Sequence, residues 1–439
     1  MTVSTHFKVS PGGSLNGTLR IPGDKSISHR ALIFGALAEG VTEVSNILAG
    51  ADCRSTASAL MALGVDIAWP DHGPVTVRGA GRDGLRPSRS PLDLGNSGTG
   101  LRLLAGVLAG QPFRSELTGD ESLRRRPMRR ITDPLRQMGA AIESAPGDVA
   151  PLIMDGRRPL APLRYRMPVA SAQLKSALLL AGLFADGETA CLEPAPTRDH
   201  TERLLESFGV EISREHGWIG VRGGSRLAAA AVQVPGDLSS AAFFLLGATI
   251  APDSEVWLEG VGINPTRTGI LHILQAMGAR IEIVNRRSHG QEPVADLHIR
   301  SAALHGIVIP REFVSLAIDE FPALMVAAAC AEGETVLSGA EELRVKESDR
   351  IAAIAAGLAI LGVPVEIMPD GLRVQGVERF NGGAIASGGD HRIAMAFAMA
   401  ALRADAPIRI DDVDNVATSF PGFARTAHTG GLMITETTA

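Results

Sequence analysis

From Gly23 to Arg30 the chain reads Gly-Asp-Lys-Ser-Ile-Ser-His-Arg, which sets two cations and a hydroxyl close to a helix start. Unpaired N–H groups and the positive dipole end already make such a spot an anion site. Lys25 and Arg30 add full charges there, and Ser26 adds a hydroxyl. Asn96-Ser97-Gly98-Thr99-Gly100 offers bare backbone N–H groups to an anion, although Leu101-Arg102 stands where a P-loop needs Lys-Ser/Thr. Of Arg124-Arg125-Arg126, a run that ordinarily faces solvent, at most one arginine is expected to point into a site; Arg102, inside an apolar helix, reads as a structural partner. Ser171-Ala172-Gln173-Leu174-Lys175 and Thr197-Arg198-Asp199-His200 bring hydroxyls, an amide and more charge. Asp319-Glu320 precedes an apolar helix, where a helix cap and a general base are both open. In Arg344-Val345-Lys346-Glu347-Ser348-Asp349-Arg350, helical spacing would put Lys346 and Arg350 on one face with Glu347 beside them. Gly389-Asp390-His391-Arg392 opens one more apolar helix with a cation. Each segment alone also fits an ordinary capped helix or a solvated charged face.

Their sum points further. The 11 histidines form no ligand pattern, and His29 and His391 are each followed by an arginine that would repel a metal cation, so no metal is expected. No Ser-His-Asp elbow appears. Cations at several helix starts, with at least one carboxylate, suit a site that holds two polyanionic small molecules and moves a proton between them.

The elements that must position these residues repeat about every seventy residues. Alanine-rich helices, apolar nearly all round, are expected to start at Lys25, Gly98, Ser171, Ser239, Pro322 and His391, each entered through a polar turn. A second series of helices ends in an apolar residue plus glycine, at Gly64, Gly139, Gly209, Gly278 and Gly362, and a strand follows each. The sixth unit lacks this second helix in clear form. The pattern predicts an α/β protein of two similar lobes, each a three-fold bundle of buried helices walled by sheets, with lobes of ordinary domain size.

At 439 residues and 45% hydrophobic, the chain can build two cores. A net charge of −6 and 4% aromatic residues argue against nucleic-acid binding. Cys53, Cys191 and Cys330 show neither disulfide nor zinc spacing and suit a reducing compartment. With no membrane-spanning run and no targeting pattern at the amino terminus, a soluble, cytoplasmic protein is expected, monomeric by default.

Ordered motifs along nearly the whole chain resemble the enolpyruvyl transferase family, specifically its EPSP synthase branch. They are Pro-Gly-Asp-Lys-Ser-Ile-Ser-His-Arg at 22–30, Leu-Gly-Asn-Ser-Gly-Thr-Gly at 94–100, Arg-Arg-Pro-Met at 125–128 and Ser-Ala-Gln at 171–173. Arg-Val-Lys-Glu-Ser-Asp-Arg at 344–350, Asp-His-Arg-Ile-Ala-Met at 390–395 and Thr-Ser-Phe-Pro at 418–421 continue the series. The resemblance implies two lobes of three βαβαββ units, an inside-out α/β barrel with six-fold internal repeat. It implies a C-terminal lobe of residues 1–20 plus 237–439, an N-terminal lobe of 21–236, and an active site in a cleft that closes on its ligands. The implied reaction transfers the enolpyruvyl group of phosphoenolpyruvate to the 5-hydroxyl of shikimate 3-phosphate, in the shikimate pathway to chorismate and aromatic amino acids. No cofactor is implied, and glyphosate is the expected inhibitor.

By matched position, Lys25, Ser26, Arg30, Ser171, Ala172, Arg198, Asp319 and Lys346 would hold shikimate 3-phosphate. Lys25, Gly98, Arg126, Gln173, Arg350 and Arg392 would hold phosphoenolpyruvate. Asp319 would be the base, and Glu347, with Lys25, would protonate the methylene carbon. Arginine forks suit the carboxylate and phosphate of each substrate. Thr418 stands where many members carry Lys, Glu342 where Asn is common, and Arg198 replaces a Ser-containing segment; together these resemble the family's divergent second class.

Three other readings compete. The sister transferase that acts on UDP-N-acetylglucosamine carries a Cys in a loop that matches residues 111–130, which here contain none, and a Lys-Asn pair where this chain has Lys25-Ser26. A non-catalytic anion-binding protein would not need both Asp319 and Glu347. An RNA-phosphate cyclase would want a basic surface and a nucleotide-reactive histidine.

Overall fold

The computed structural model describes residues 5–438. The chain forms two compact units. One comprises residues Gly23–Val234 with Ser288–Glu292, and the other Met1–Pro22, Pro235–Arg287 and Pro293–Ala439.

In the first unit three helices, Lys25–Leu37, Gly98–Ala109 and Ala172–Gly182, are buried along most of their length. A Cβ on Gly106 would lie 2.4 Å from the Ala177 carbonyl oxygen, so the second and third of these helices cross where no side chain fits. Three four-stranded sheets carry one repeated pattern. In the clearest of them, strand Leu92–Asp93 pairs in parallel with Arg114–Thr118 across the buried helix. Val149–Asp155 and Ala141–Ala145 then extend the sheet antiparallel. With the Arg129–Gln137 helix between, this segment reads β-α-β-α-β-β. Strand Ala231–Gln233 supplies the parallel partner of Val41–Ser45 and so completes the first repeat from the far end of the unit.

The second unit is built alike around Leu238–Ile250, Phe321–Ala329 and His391–Ala400. Every residue of Leu238–Ile250 is buried, as expected of a helix with no polar face. The amino-terminal strands complete this unit: Thr5–Val9 pairs with Ile408–Asp411 and Ile434–Thr438, and Asn16–Arg20 runs parallel to Glu255–Gly262.

All six buried helices begin within one residue of the positions expected from the sequence. Ser171 lies just outside because it caps its helix, accepting from Leu174 N at 3.3 Å. Gly64, Gly139, Gly209, Gly278 and Gly362 all adopt positive φ after their helices, the conformation for which glycine is favoured. The sixth repeat carries only short helices, Val416–Ser419 and Phe423–Thr429, in place of a long second one.

Candidate functional site

In the Gly23–Val234 unit, Asp24 caps the first helix by accepting from Ile27 N at 2.9 Å. Gly23 is required before it, since a Cβ there would lie 1.9 Å from the Asn46 carbonyl oxygen. Lys25 Nζ sits 3.0 Å from Asp52 Oδ2. Ser26 is partly exposed on the same turn. Arg30 is buried: its Nε donates to Thr201 Oγ1 at 2.7 Å, Nη1 to Ser26 O at 2.8 Å and Nη2 to Ser176 Oγ at 2.7 Å. Burial lowers its pKa to about 10, against the pull of Glu202, so the guanidinium stays charged at neutral pH.

His29, beside Arg30, is also buried, with Nδ1 2.9 Å from Thr56 Oγ1 and Nε2 3.3 Å from Ser97 Oγ. Burial pushes its pKa down to about 3, so the ring is a neutral hydrogen-bonding strut between three helices.

Ser97 caps the second buried helix through Gly100 N at 3.0 Å. Of the three consecutive arginines, Arg124 and Arg125 are exposed, while Arg126 reaches Asn96 Oδ1 at 2.6 Å. An alanine Cβ at Gly98 would lie 2.8 Å from Arg102 Nη1 and 3.3 Å from Arg126 Nη1. Arg102 is a partner within the unit, as expected: Nη1 donates to Gln173 Oε1 at 2.8 Å, and Gln173 Nε2 donates to Thr99 Oγ1 at 3.0 Å. The amide of Gln173 is therefore oriented from both ends. Ser171 and Ala172 open the third helix, and Arg198 lies partly exposed in the turn before the His200–Ser207 helix.

In the other unit, Asp319 does not cap its helix. The capping position falls to Glu320, which makes no side-chain capping bond. Asp319 Oδ1 instead lies 3.2 Å from Arg350 Nη1 and 3.6 Å from Lys346 Nζ, and Oδ2 lies 3.8 Å from Arg392 Nη2. Glu347 Oε2 accepts from Arg350 Nη2 at 2.6 Å. One guanidinium thus bridges the two candidate proton-transfer carboxylates. Arg350 is 0% exposed, and its Nε also donates to Asp390 Oδ2 at 2.8 Å. Burial works against that charge, yet Asp390, Glu347 and Asp319 raise the Arg350 pKa above its ordinary value. Burial would likewise raise Asp390, but Arg350 outweighs it and holds the carboxyl below its usual range.

One expectation is corrected. Lys346 and Arg350 do not share a helical face. A 3-10 turn covers Glu341–Val345, residues 346–348 form bends, and the helix begins only at Arg350, capped by Asp349 accepting from Ala352 N at 3.1 Å. The cap that starts the helix ends the spacing argument, and the two cations converge on Asp319 through a loop. Glu342 accepts from Lys346 Nζ at 2.8 Å, and Thr418 Oγ1 donates to Asn415 O at 2.7 Å.

Sequence reasoning missed the counter-ions. Asp52 pairs with Lys25, buried Asp390 with Arg350, and buried Glu320 lies 3.8 Å from Arg392 Nη1. Asp390 was visible as part of a helix start, accepting from Arg392 N at 2.9 Å, but nothing local tied it to an arginine forty positions away. Among the described residues, no group of three or more His, Cys, Asp or Glu side chains could hold a metal ion, and no helix is long and apolar enough to cross a membrane.

Residues 9–426 match the family model for EPSP synthase (3-phosphoshikimate 1-carboxyvinyltransferase). A 3-phosphoshikimate 1-carboxyvinyltransferase of Alkalilimnicola ehrlichii is 60% identical over 430 residues, covering 98% of this chain and 96% of that protein. One of Methylococcus capsulatus is 58% identical, covering 98% of each. Among solved structures, the EPSP synthase of Acinetobacter baumannii superposes with a TM-score of 0.89 at 49% identity, over 99% of this chain and 100% of that one. Matched from end to end in sequence and in fold, the chain belongs to the EPSP synthase family.

Proposed function

We propose that the protein transfers the enolpyruvyl group of phosphoenolpyruvate to the 5-hydroxyl of shikimate 3-phosphate, releasing inorganic phosphate. The observation that carries the reading is the Asp319–Arg350–Glu347 bridge, because two carboxylates on one buried guanidinium supply the proton-transfer pair the reaction needs. Asp319, facing Arg350, Lys346 and Arg392, takes the 5-hydroxyl proton while that oxygen attacks C2 of phosphoenolpyruvate. Glu347, with Lys25 as the second candidate, delivers a proton to the methylene carbon, which becomes a methyl group. Removal of one methyl proton then restores the double bond as the C2–O bond to phosphate breaks.

Lys25, Ser26, Arg30, Ser171, Ala172, Arg198, Asp319 and Lys346 are the proposed ligands of shikimate 3-phosphate. Lys25, Gly98, Arg126, Gln173, Arg350 and Arg392 are those of phosphoenolpyruvate. For Arg350 to reach a substrate, its guanidinium must exchange one of its carboxylates for the incoming anion; Arg392, with 11% of its side chain exposed, needs less rearrangement. Glyphosate as a competitor of phosphoenolpyruvate, a monomeric state, a cytoplasmic location and membership of the second class belong to the same proposal. Cys53, Cys191 and Cys330, none of them in a disulfide, fit a reducing compartment, and Thr418, Arg198 and Glu342 support the class.

Phosphate release from phosphoenolpyruvate tests the reading, with shikimate 3-phosphate, with UDP-N-acetylglucosamine, or with no acceptor. Release with shikimate 3-phosphate alone is expected. Release with the nucleotide sugar would transfer the protein to the sister reaction, and silence in all three from a folded sample would leave an anion-binding protein.

A further inference from the structure

Beneath the turn that carries Arg198 lies a charged cluster the reaction does not use. Lys175, 1% exposed on the Ala172–Gly182 helix, has Nζ 2.9 Å from Glu193 Oε2 and 2.7 Å from Glu202 Oε1. The same ammonium donates to the Thr197 carbonyl at 3.4 Å, and Thr197 Oγ1 donates back to Glu193 Oε1. Glu202 is as buried as Lys175. Its anchors therefore bracket Arg198 in sequence, at Glu193 and Thr197 before it and at Glu202 after it. A second clamp holds the neighbouring Thr201, whose Oγ1 accepts from Arg30 Nε at 2.7 Å and lies 2.7 Å from Ser176 Oγ. Lys175 sits one helical turn from Ser171 and Ala172, so one ammonium ties both groups of shikimate 3-phosphate ligands together.

Burying three charges is a poor way to gain stability, because well-packed apolar residues of similar volume often do as well or better. Burial pushes the Glu202 carboxyl up and opposes the charge on Lys175, but Glu202 and Glu193 more than offset the latter, so Lys175 stays an ammonium. A polar anchor of this kind fixes one arrangement of a loop where an apolar contact would tolerate several.

We propose that Lys175, with Glu193 and Glu202, is a positioning residue that fixes the Thr197–Glu202 turn so that Arg198 meets the shikimate 3-phosphate dianion without a further ordering cost. The inference rests on the assignment of Arg198 as a ligand of that substrate. The test is a double-mutant cycle of Glu202→Gln and Arg198→Gln, read as the dissociation constant for shikimate 3-phosphate by titration calorimetry, with thermal stability recorded beside it. Glu202→Gln is expected to weaken binding about tenfold in the parent and hardly at all in the Arg198→Gln background. Unchanged affinity in Glu202→Gln, or the same loss in both backgrounds, overturns the positioning role and leaves the Arg198 assignment standing. Wild-type affinity in Arg198→Gln removes that assignment and this inference with it. If Glu202→Gln does not fold, Glu193→Gln, whose carboxylate lies nearer the surface, enters the same cycle with the same outcomes.

Discussion

Replacing His29 by glutamine should change how the protein responds to acid. The imidazole is fully buried and its pKa is lowered from 6.5 to about 3, chiefly by desolvation. Its folded pKa lies below the unfolded one, so between those values the unfolded chain binds a proton that the folded chain refuses. Stability from the neutral ring is therefore complete above about pH 6.5 and is lost as the pH falls towards 3, by about 1.4 kcal/mol per pH unit inside the window. At pH 5 the linkage relation gives a loss of about 2 kcal/mol. Glutamine can bond to both Thr56 and Ser97 but cannot titrate, so His29→Gln removes this slope and leaves those of other groups in place. Urea unfolding at pH 7.5 and pH 5, followed by tryptophan fluorescence, makes the comparison; Trp69 and Trp218 both report on the unit that contains His29. The parent should lose about 2 kcal/mol more than the variant between the two pH values. Equal losses would show that His29 is not held neutral by burial.

Asp319→Ala should lower phosphate release by about two to four orders of magnitude while shikimate 3-phosphate still binds, as removal of a general base requires; unchanged turnover would strip Asp319 of that role. Gly98→Ala should raise the glyphosate concentration needed for half-inhibition by about tenfold, because a methyl 2.8 Å from Arg102 Nη1 and 3.3 Å from Arg126 Nη1 forces a guanidinium to move at an overpacking cost of about 1–3 kcal/mol. An unchanged inhibition curve contradicts that steric argument. Arg350→Met should destabilise the protein by about 3–5 kcal/mol in chemical denaturation, since it strands the buried Asp390 carboxylate. Adding Asp390→Asn should recover part of the loss, and strictly additive losses would mean the pair is not coupled.

What the sequence made legible was local. Asp24, Ser97, Ser171, Asp237 and Asp390 announce helix starts because each caps backbone N–H groups two or three residues on. Glycines at positive φ announce helix ends for an equally local reason. The candidate residues could be gathered from those turns because the cations stand beside the caps. Pairing was not legible, because an ion pair depends on how elements pack. Nothing within reach of Lys25 names Asp52, nothing near Arg350 names Asp390, and the two glutamates on Lys175 lie 18 and 27 positions away. The 344–350 segment failed for a related reason: its charges fit a helical repeat, but Asp349 could also start a helix, and the cap prevailed. The completion of the second unit by Thr5–Val9 and Asn16–Arg20 is also a long-range pairing, and no local pattern pointed to it; only the family resemblance assigned residues 1–20 to that lobe.

The central claim is an addition to phosphoenolpyruvate followed by elimination, with a proton placed on its methylene carbon and another removed. Turnover in heavy water, with mass analysis of the product, tests that step most directly. The account predicts deuterium in the methylene group of the transferred enolpyruvyl unit, because a transient methyl group mixes solvent hydrogen with its own. A product formed at full rate with no deuterium in that group would contradict it.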